Sequence, residues 1–238
     1  MTALVRGELI KTVTTRTVFG YAALGVALAV ANVLIVTLSK DLVTVDDKQG
    51  AIAGLPVWLL LFALVGAAGE YRHRTAAPAV LAAAGRRGRL LLARAGAYAV
   101  TGLVLGALAT AVVLALGLPL LSAEPGPALG SSRIAEVAVG SVICAVLCAI
   151  MGVAAGALVR NQVVGVVGAL ILMFVAFPLL NVVDKTAAEL TPFGAAAVLA
   201  GDPTGHTLSW GGAGLVLAAW TVPLLLAAIV VEGRRDLA

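Results

Sequence analysis

The sequence predicts an all-α integral membrane protein with six transmembrane helices and both ends on the cytoplasmic side, and three observations predict it. First, 61% of the 238 residues are hydrophobic and 12% charged, with a mean hydropathy of +1.09, against about 45–50% and about 25% in soluble domains. A chain of this kind in a bilayer must satisfy its backbone internally, as helices or a closed barrel. Uninterrupted Ala/Val/Leu/Gly runs select helices, because barrel strands alternate over about 10 residues. Second, six runs approach the roughly 20 residues a span requires: 18–38, 51–69, 95–121, 134–159, 163–183 and 212–231. Third, bases concentrate on the cytoplasmic side. With the N-terminus inside, twelve of the sixteen bases fall in inner segments. Only Lys40, Lys48, Arg133 and Lys185 remain outside, beside eight acids.

The elements follow in order. Residues before Arg16 hold Glu8 and Lys11 on one side and Val5, Leu9 and Val13 on the other, an amphipathic helix suited to the inner interface. Polar residues recur up to Arg16 and the first apolar run is long enough to span, so that run reads as a retained anchor. After the second span, the inner loop 70–94 carries a short helix of its own. Thr75 can cap it, Pro78 suits its first turn, residues 79–84 are good helix formers and Gly85 can end it. Glu70, Arg72 and Arg74 stand before it and Arg86, Arg87 and Arg89 after it. These bases also satisfy the positive-inside rule or bind anionic headgroups without any further role.

In the fourth span Gly140, Cys144, Cys148, Gly152 and Gly156 recur every four residues, a ridge of small side chains that permits close helix approach. The two cysteines project in parallel one turn apart and cannot readily bridge. Arg160, Asn161 and Gln162 make a tight turn into the fifth span. In the outer segment 184–210, the run 193–200 is apolar but far too short to cross. Started by Thr191 and Pro192 and led by Phe193, it reads as a re-entrant or interfacial helix; a plain surface loop is the alternative. A turn over 201–205 and Trp210, an interfacial anchor, precede the last span. Residues 1–238 form a single membrane domain.

Chemistry in the spans is sparse. No lysine follows a glycine, so a phosphate-cradling GxxxxGK[ST] loop is absent. No charge falls near the centre of a span, where carriers place theirs; Glu136 comes nearest and reads as an interfacial partner of Arg133. His73 and His206 lie on opposite sides and cannot share a metal. Catalytic, cofactor and metal sites are therefore expected to be none, and nucleic acid is not expected as a partner. Twelve Arg against four Lys, with abundant Ala, Gly and Val, points to a GC-rich bacterial genome.

Taken in order, these segments resemble the permease subunits of type-2 ATP-binding-cassette (ABC) transporters. The carrying motifs are the inner loop GEYRHRTAAPAVLAAAGRRGRLLLARAGA, the N-terminal VRGELIKTVTTRTVFGY, the Thr191-Pro192-Phe193 start of the outer helix and the terminal VEGRRDLA. The resemblance covers the whole chain. Within the loop, Glu70, Arg72, Thr75, Arg86 and the Leu run 90–92 fill the family's places, while Arg74 replaces its usual Gly and Gly85 its frequent Ser or Thr.

The resemblance implies an exporter subunit in a bacterial cytoplasmic membrane, working as a permease dimer, identical or homologous, with two ATPase subunits that hold ATP and Mg. It assigns Glu70, Arg72, Thr75, Pro78, Arg86 and Arg87 to ATPase coupling and calls the inner-loop helix a coupling helix. Efflux of an amphipathic or hydrophobic substrate, such as a drug, antibiotic or lipid, is the implied function, with membrane lipids as further partners. A membrane-embedded enzyme, a scaffold without a transport role, and an ion-gradient-driven carrier are the competing classes.

Overall fold

The computed structural model describes residues 2–39, 44–54, 57–72, 87–203 and 205–234, without the side chains of residues 39 and 87. All regular structure among them is helical, and none is strand. In chain order the helices are α1 (Thr2–Thr14), α2 (Arg16–Ser39), α3 (Val45–Ile52), α4 (Trp58–Arg72), α5 (Arg87–Ala123) and α6 (Ser131–Val159). There follow α7 (Gln162–Val183), α8 (Lys185–Glu189), α9 (Pro192–Leu199) and α10 (Trp210–Arg234). Five of them, α2, α5, α6, α7 and α10, are long and apolar enough to cross a membrane. The chain thus has the character of a multi-pass membrane protein.

The core lies where α4 and α6 pack together, with α5 and α10 on the flanks of α6. Small residues make this approach possible. A Cβ on Gly156 would sit 2.7 Å from the Leu64 carbonyl oxygen, and one on Gly152 would collide with the Leu60 carbonyl. On another face of α6, Ala145 and Ala149 meet Gly102 and Gly106 of α5. Backbones that approach this closely gain dispersion contact, the main source of helix association where lipid is as apolar as the side chains. Phe62 of α4 fills the remaining space, its ring 5.2 Å from Tyr21 and 5.3 Å from Tyr98.

The second span expected at 51–69 is divided between two helices in the structure. Ala51 and Ile52 end the separate helix α3, and α4 starts only at Trp58. The break has partners that replace helical hydrogen bonds. Asn32 Nδ2 lies 3.4, 3.2 and 3.3 Å from the Gly50, Ala51 and Ala53 carbonyls at the open end of α3, and Gly54 donates its N–H to Ala200 at 3.0 Å. Carbonyls at a helix end need such partners when water is excluded. At 15 residues, α4 is about 22 Å long, short of a full crossing by itself. The third helix also begins at Arg87 instead of residue 95.

The turn between α6 and α7 follows the sequence closely. Arg160 adopts the left-handed conformation (φ 54°) and donates its N–H to Gly156 at 2.9 Å, while the Asn161 side chain accepts from the N–H groups of Val163 and Val164. Within α7, Leu172–Ala176 form a π turn. At the other end of α6, Arg133 turns to Asp46 (2.7 Å) and Gln49 (3.0 Å) of α3. Among the described residues no ion pair joins it to Glu136, which is exposed. The carboxylate of α3 lies within reach across the helices, so the anticipated neighbour is not used.

Candidate functional site

Among the described residues, six charged side chains gather at the end of the bundle that carries α1 and the end of α10. The helix α1 brings Glu8 and Lys11, one turn apart; the last turn of α4 brings Glu70; the second turn of α5 brings Arg94. Arg94 is 3% exposed and donates to Glu70, and its Nε lies 3.4 Å from Glu8. Lys11 donates to Glu70 from the solvent side and lies 3.5 Å from Glu8. Two carboxylates and two cations therefore neutralise one another in a place where an uncompensated charge would cost several kcal/mol.

Beside this quartet stands a second group. Tyr71, the residue after Glu70, donates its hydroxyl to Glu232 of α10 at 2.9 Å. Arg160, at the end of α6, donates to the same carboxylate oxygen at 2.9 Å, and its guanidinium lies 4.9 Å from the centre of the Tyr71 ring. Arg160 thus serves as both donor and stacking partner, the combination that suits Arg over Lys. The ends of α1, α4, α5, α6 and α10 are thereby joined through consecutive residues 70 and 71. A cavity of about 380 Å³ opens beside them, lined by Glu8, Lys11, Thr12, Glu70 and Tyr98.

With this geometry in view, the chain can be set against known proteins. No family model and no curated protein matches it.

The residues singled out from the sequence divide as follows. Glu70 is buried at the centre of the quartet, whereas Arg72, one turn-end further, is exposed. Thr75, Pro78 and Arg86 lie outside the described residues, and with them the short inner-loop helix. Arg87 opens α5, its side chain also outside the description. Gly140, Cys144, Cys148, Gly152 and Gly156 are all buried along one face of α6. The lower two glycines meet α4; Gly140 meets the Leu199 carbonyl of α9, and Cys144 Sγ lies 3.7 Å from the Ala196 carbonyl. Both thiols are free, 3.8 Å apart.

Thr191 caps α9 by accepting from the Gly194 N–H at 3.1 Å, with Pro192 in its first turn and Phe193 half-buried. At eight residues α9 is about 12 Å long, and Gly194, Ala195, Ala196, Val198 and Leu199 are buried. The turn that follows contains Gly201 at φ +95°, a left-handed position whose Cβ would also strike Val137. Glu189 fastens the returning chain of this segment. It accepts from the Thr207 hydroxyl (2.6 Å) and the Thr207 and Leu208 N–H groups (3.0 and 2.9 Å), and lies 3.2 Å from His206 Nδ1. Burial pushes its carboxyl up, but these donors outweigh burial and hold it down at about 2.

Sequence reasoning missed three members of the cluster: Arg94 as a buried partner, Tyr71, and Glu232. It left open which side of α1 faces the bundle. Glu8 and Thr12 face the bundle, while Ile10 and Val13 are exposed, 52% and 49%. A signal for this existed in the chain. Glu70 and Glu232 each sit at the edge of an apolar run, and an acid there needs a basic partner from another helix. Among the described residues, no group of three or more His, Cys, Asp or Glu could hold a metal ion.

Proposed function

We propose that this chain is the transmembrane permease subunit of an ATP-driven ABC exporter, with six spans, both ends in the cytoplasm of a bacterial cell, and its ATPase on a separate chain. One observation carries the reading: both flanks of the segment 73–86 are tied into the bundle by the same ion cluster. Glu70 stands three residues before that segment and Arg94 eight after it, and they are bonded to each other. A displacement imposed on the segment by a bound ATPase would act on α4 and α5 together, and through Tyr71, Glu232 and Arg160 on α10 and α6. Force transmission of this kind requires rigid elements with few alternative partners.

In this reading α3, the break and α4 make the second crossing, α9 is the re-entrant element, and the cluster end is cytoplasmic. That orientation also puts most of the bases inside. Segment 73–86, with Thr75, Pro78 and Arg86, is the ATPase-contacting element, and Arg87 joins it to α5. A second permease chain and two ATPases complete the transporter. ATP and Mg are held by the ATPases. The cargo is amphipathic or hydrophobic.

Affinity purification of the tagged chain from its native membranes tests this. An ATPase carrying a P-loop should co-purify, and charge reversal at Arg86 and Arg87 should reduce its recovery. Reconstituted vesicles should then move substrate only with ATP. No co-purifying ATPase, or a flux that follows an ion gradient without ATP, overturns the proposal.

A further inference from the structure

The short helix α9 is flanked by two acids. Glu189 closes α8, three residues before α9 starts, and Asp202 stands three residues after it ends. One side chain, at the entry to α10, reaches both flanks. His206 Nδ1 lies 3.2 Å from Glu189 Oε1, while its Nε2 lies 2.8 Å from the Asp202 carbonyl oxygen and 4.0 Å from the Asp202 carboxylate. The ring is 15% exposed, which limits the water that can stand in for either partner.

Both of these oxygens are acceptors. A carbonyl carries no hydrogen, and the Glu189 carboxyl, despite its burial, is held down at about 2 by the Thr207 and Leu208 donors, so it is an anion near neutrality. A neutral imidazole has one N–H and one lone pair. Whichever nitrogen keeps the hydrogen, the other turns its lone pair on an oxygen. Only the imidazolium, with an N–H on each nitrogen, bonds both flanks at once, and it adds charge attraction to Glu189.

Other charges nearby are engaged elsewhere. On α8, Lys185 donates to the Gly205 carbonyl at 2.8 Å, and Asp184, which precedes the helix, caps it through the Ala187 N–H. On α3, which reaches the Gly201 carbonyl through Gln49, Asp46 pairs with Arg133, Asp47 belongs to the capping box and Lys48 donates to the Glu124 and Gly126 carbonyls. Neither α9 nor the first turns of α10 carry a charged residue. Among the described residues, Glu189 and Asp202 are the charges that face the ring.

We infer that His206 is a proton-operated clasp: doubly protonated, it ties the two flanks of α9 together at the entry to α10, and on losing a proton it releases one of them. The hydrogen that remains stays on Nδ1, against the anionic acceptor, so the flank released is Asp202. Glu189 keeps its bonds from Thr207 and Leu208, and the tie between α8 and α10 survives. The clasp is closed in mild acid and opens as pH rises through the range where imidazoles titrate. Phe193, Ala196 and Ala197 of α9 line a cavity of about 480 Å³, so the proton sets how firmly that wall is held. The clasp rests on no part of the exporter reading.

Hydrogen exchange read by mass spectrometry on the full chain in nanodiscs tests this. The reporters are the Ala200, Gly201 and Asp202 amides, which donate to the Ala196, Val198 and Ala197 carbonyls at the end of α9. His206→Gln, uncharged at every pH, is the reference, because both proteins share the intrinsic pH dependence of exchange. At about pH 5 the wild-type amides should be at least about fivefold better protected than those of the variant, and at about pH 8 the two should agree within about twofold. A protection ratio that is the same at both pH values, or no difference at either, overturns the inference. If His206→Gln does not fold, nitrogen-15 NMR of the histidine-labelled His73→Gln chain decides, since the sequence has two histidines and His206 is then the one imidazole left. Two ring N–H signals protected from exchange with water at about pH 5 are expected; one protected signal, or none, overturns the clasp.

Discussion

Arg94 and Glu70 are bonded to each other from the second turn of one helix to the last turn of another, both nearly inaccessible to solvent. Between them in sequence runs the basic segment that sequence reasoning marked as the contact with a partner. The pair closes the base of that segment, so its two flanks belong to one rigid unit.

Replacing Arg94 by Met should destabilise the fold by about 3–5 kcal/mol, because Glu8 and Glu70 then lose their buried cation. Lys11→Met should cost under about 1 kcal/mol, since Lys11 is the solvent-side member of the group and Glu70 keeps Arg94. Thermal unfolding of the two variants in the same detergent measures the difference, and equal effects would show that the burial of Arg94 does not matter.

Glycines on α6 and α7 should respond oppositely to the same change. Gly152→Ala places a Cβ against the Leu60 carbonyl, and Gly156→Ala one against Leu64, for an expected loss of about 1–3 kcal/mol. At Gly168 nothing lies within 4 Å, and alanine there should be neutral or stabilise the helix by up to about 1 kcal/mol. Unfolding midpoints of the three variants check the ordering.

Glu189 makes stability depend on acid. Its carboxyl titrates near 2 in the folded chain against an ordinary 4.5, so its stabilisation is fully present above about 4.5 and fades as pH falls from there through about 2. Wild type should therefore unfold at a higher temperature than Glu189→Gln near neutrality, and the gap should narrow across that interval. A gap that is constant with pH would contradict the assignment.

Cys144 and Cys148 are buried, 0% and 1% exposed, and unbridged. N-ethylmaleimide should leave both unmodified in the folded protein and label both after denaturation. Mass spectrometry reads the count, and rapid labelling of the folded chain would argue against the packing of α6 on α9.

What could be read from the sequence was whatever depends on one helix at a time. Long apolar runs, the small-residue ridge of α6 and the Thr191-Pro192 start of α9 are local patterns; the ridge lies within one helix and Thr191 caps another. The division of α3 from α4 was not legible as a break inside a span. It depends on Asn32 and Ala200, which come from other parts of the chain and meet the freed backbone groups only in the folded bundle. Hydropathy likewise left the inward face of α1 open, because Glu8 turns inward toward Arg94, 86 residues away, which a short helix does not show by itself. The same holds for Glu232, whose partners Arg160 and Tyr71 are 72 and 161 residues distant. A charge in an apolar setting announces a partner without naming it.

Among the described residues, the six charges of the cluster, Glu8, Lys11, Glu70, Arg94, Arg160 and Glu232, are three of each sign. Moving one elementary charge across a membrane is worth about 2.3 kcal/mol per 100 mV. A group whose formal charges sum to zero draws no such work when it shifts as a body. If the helices that meet there tilt together, the membrane voltage acts on the motion only through charges outside the cluster, such as Arg72, Arg89 and Arg234 on the same helices.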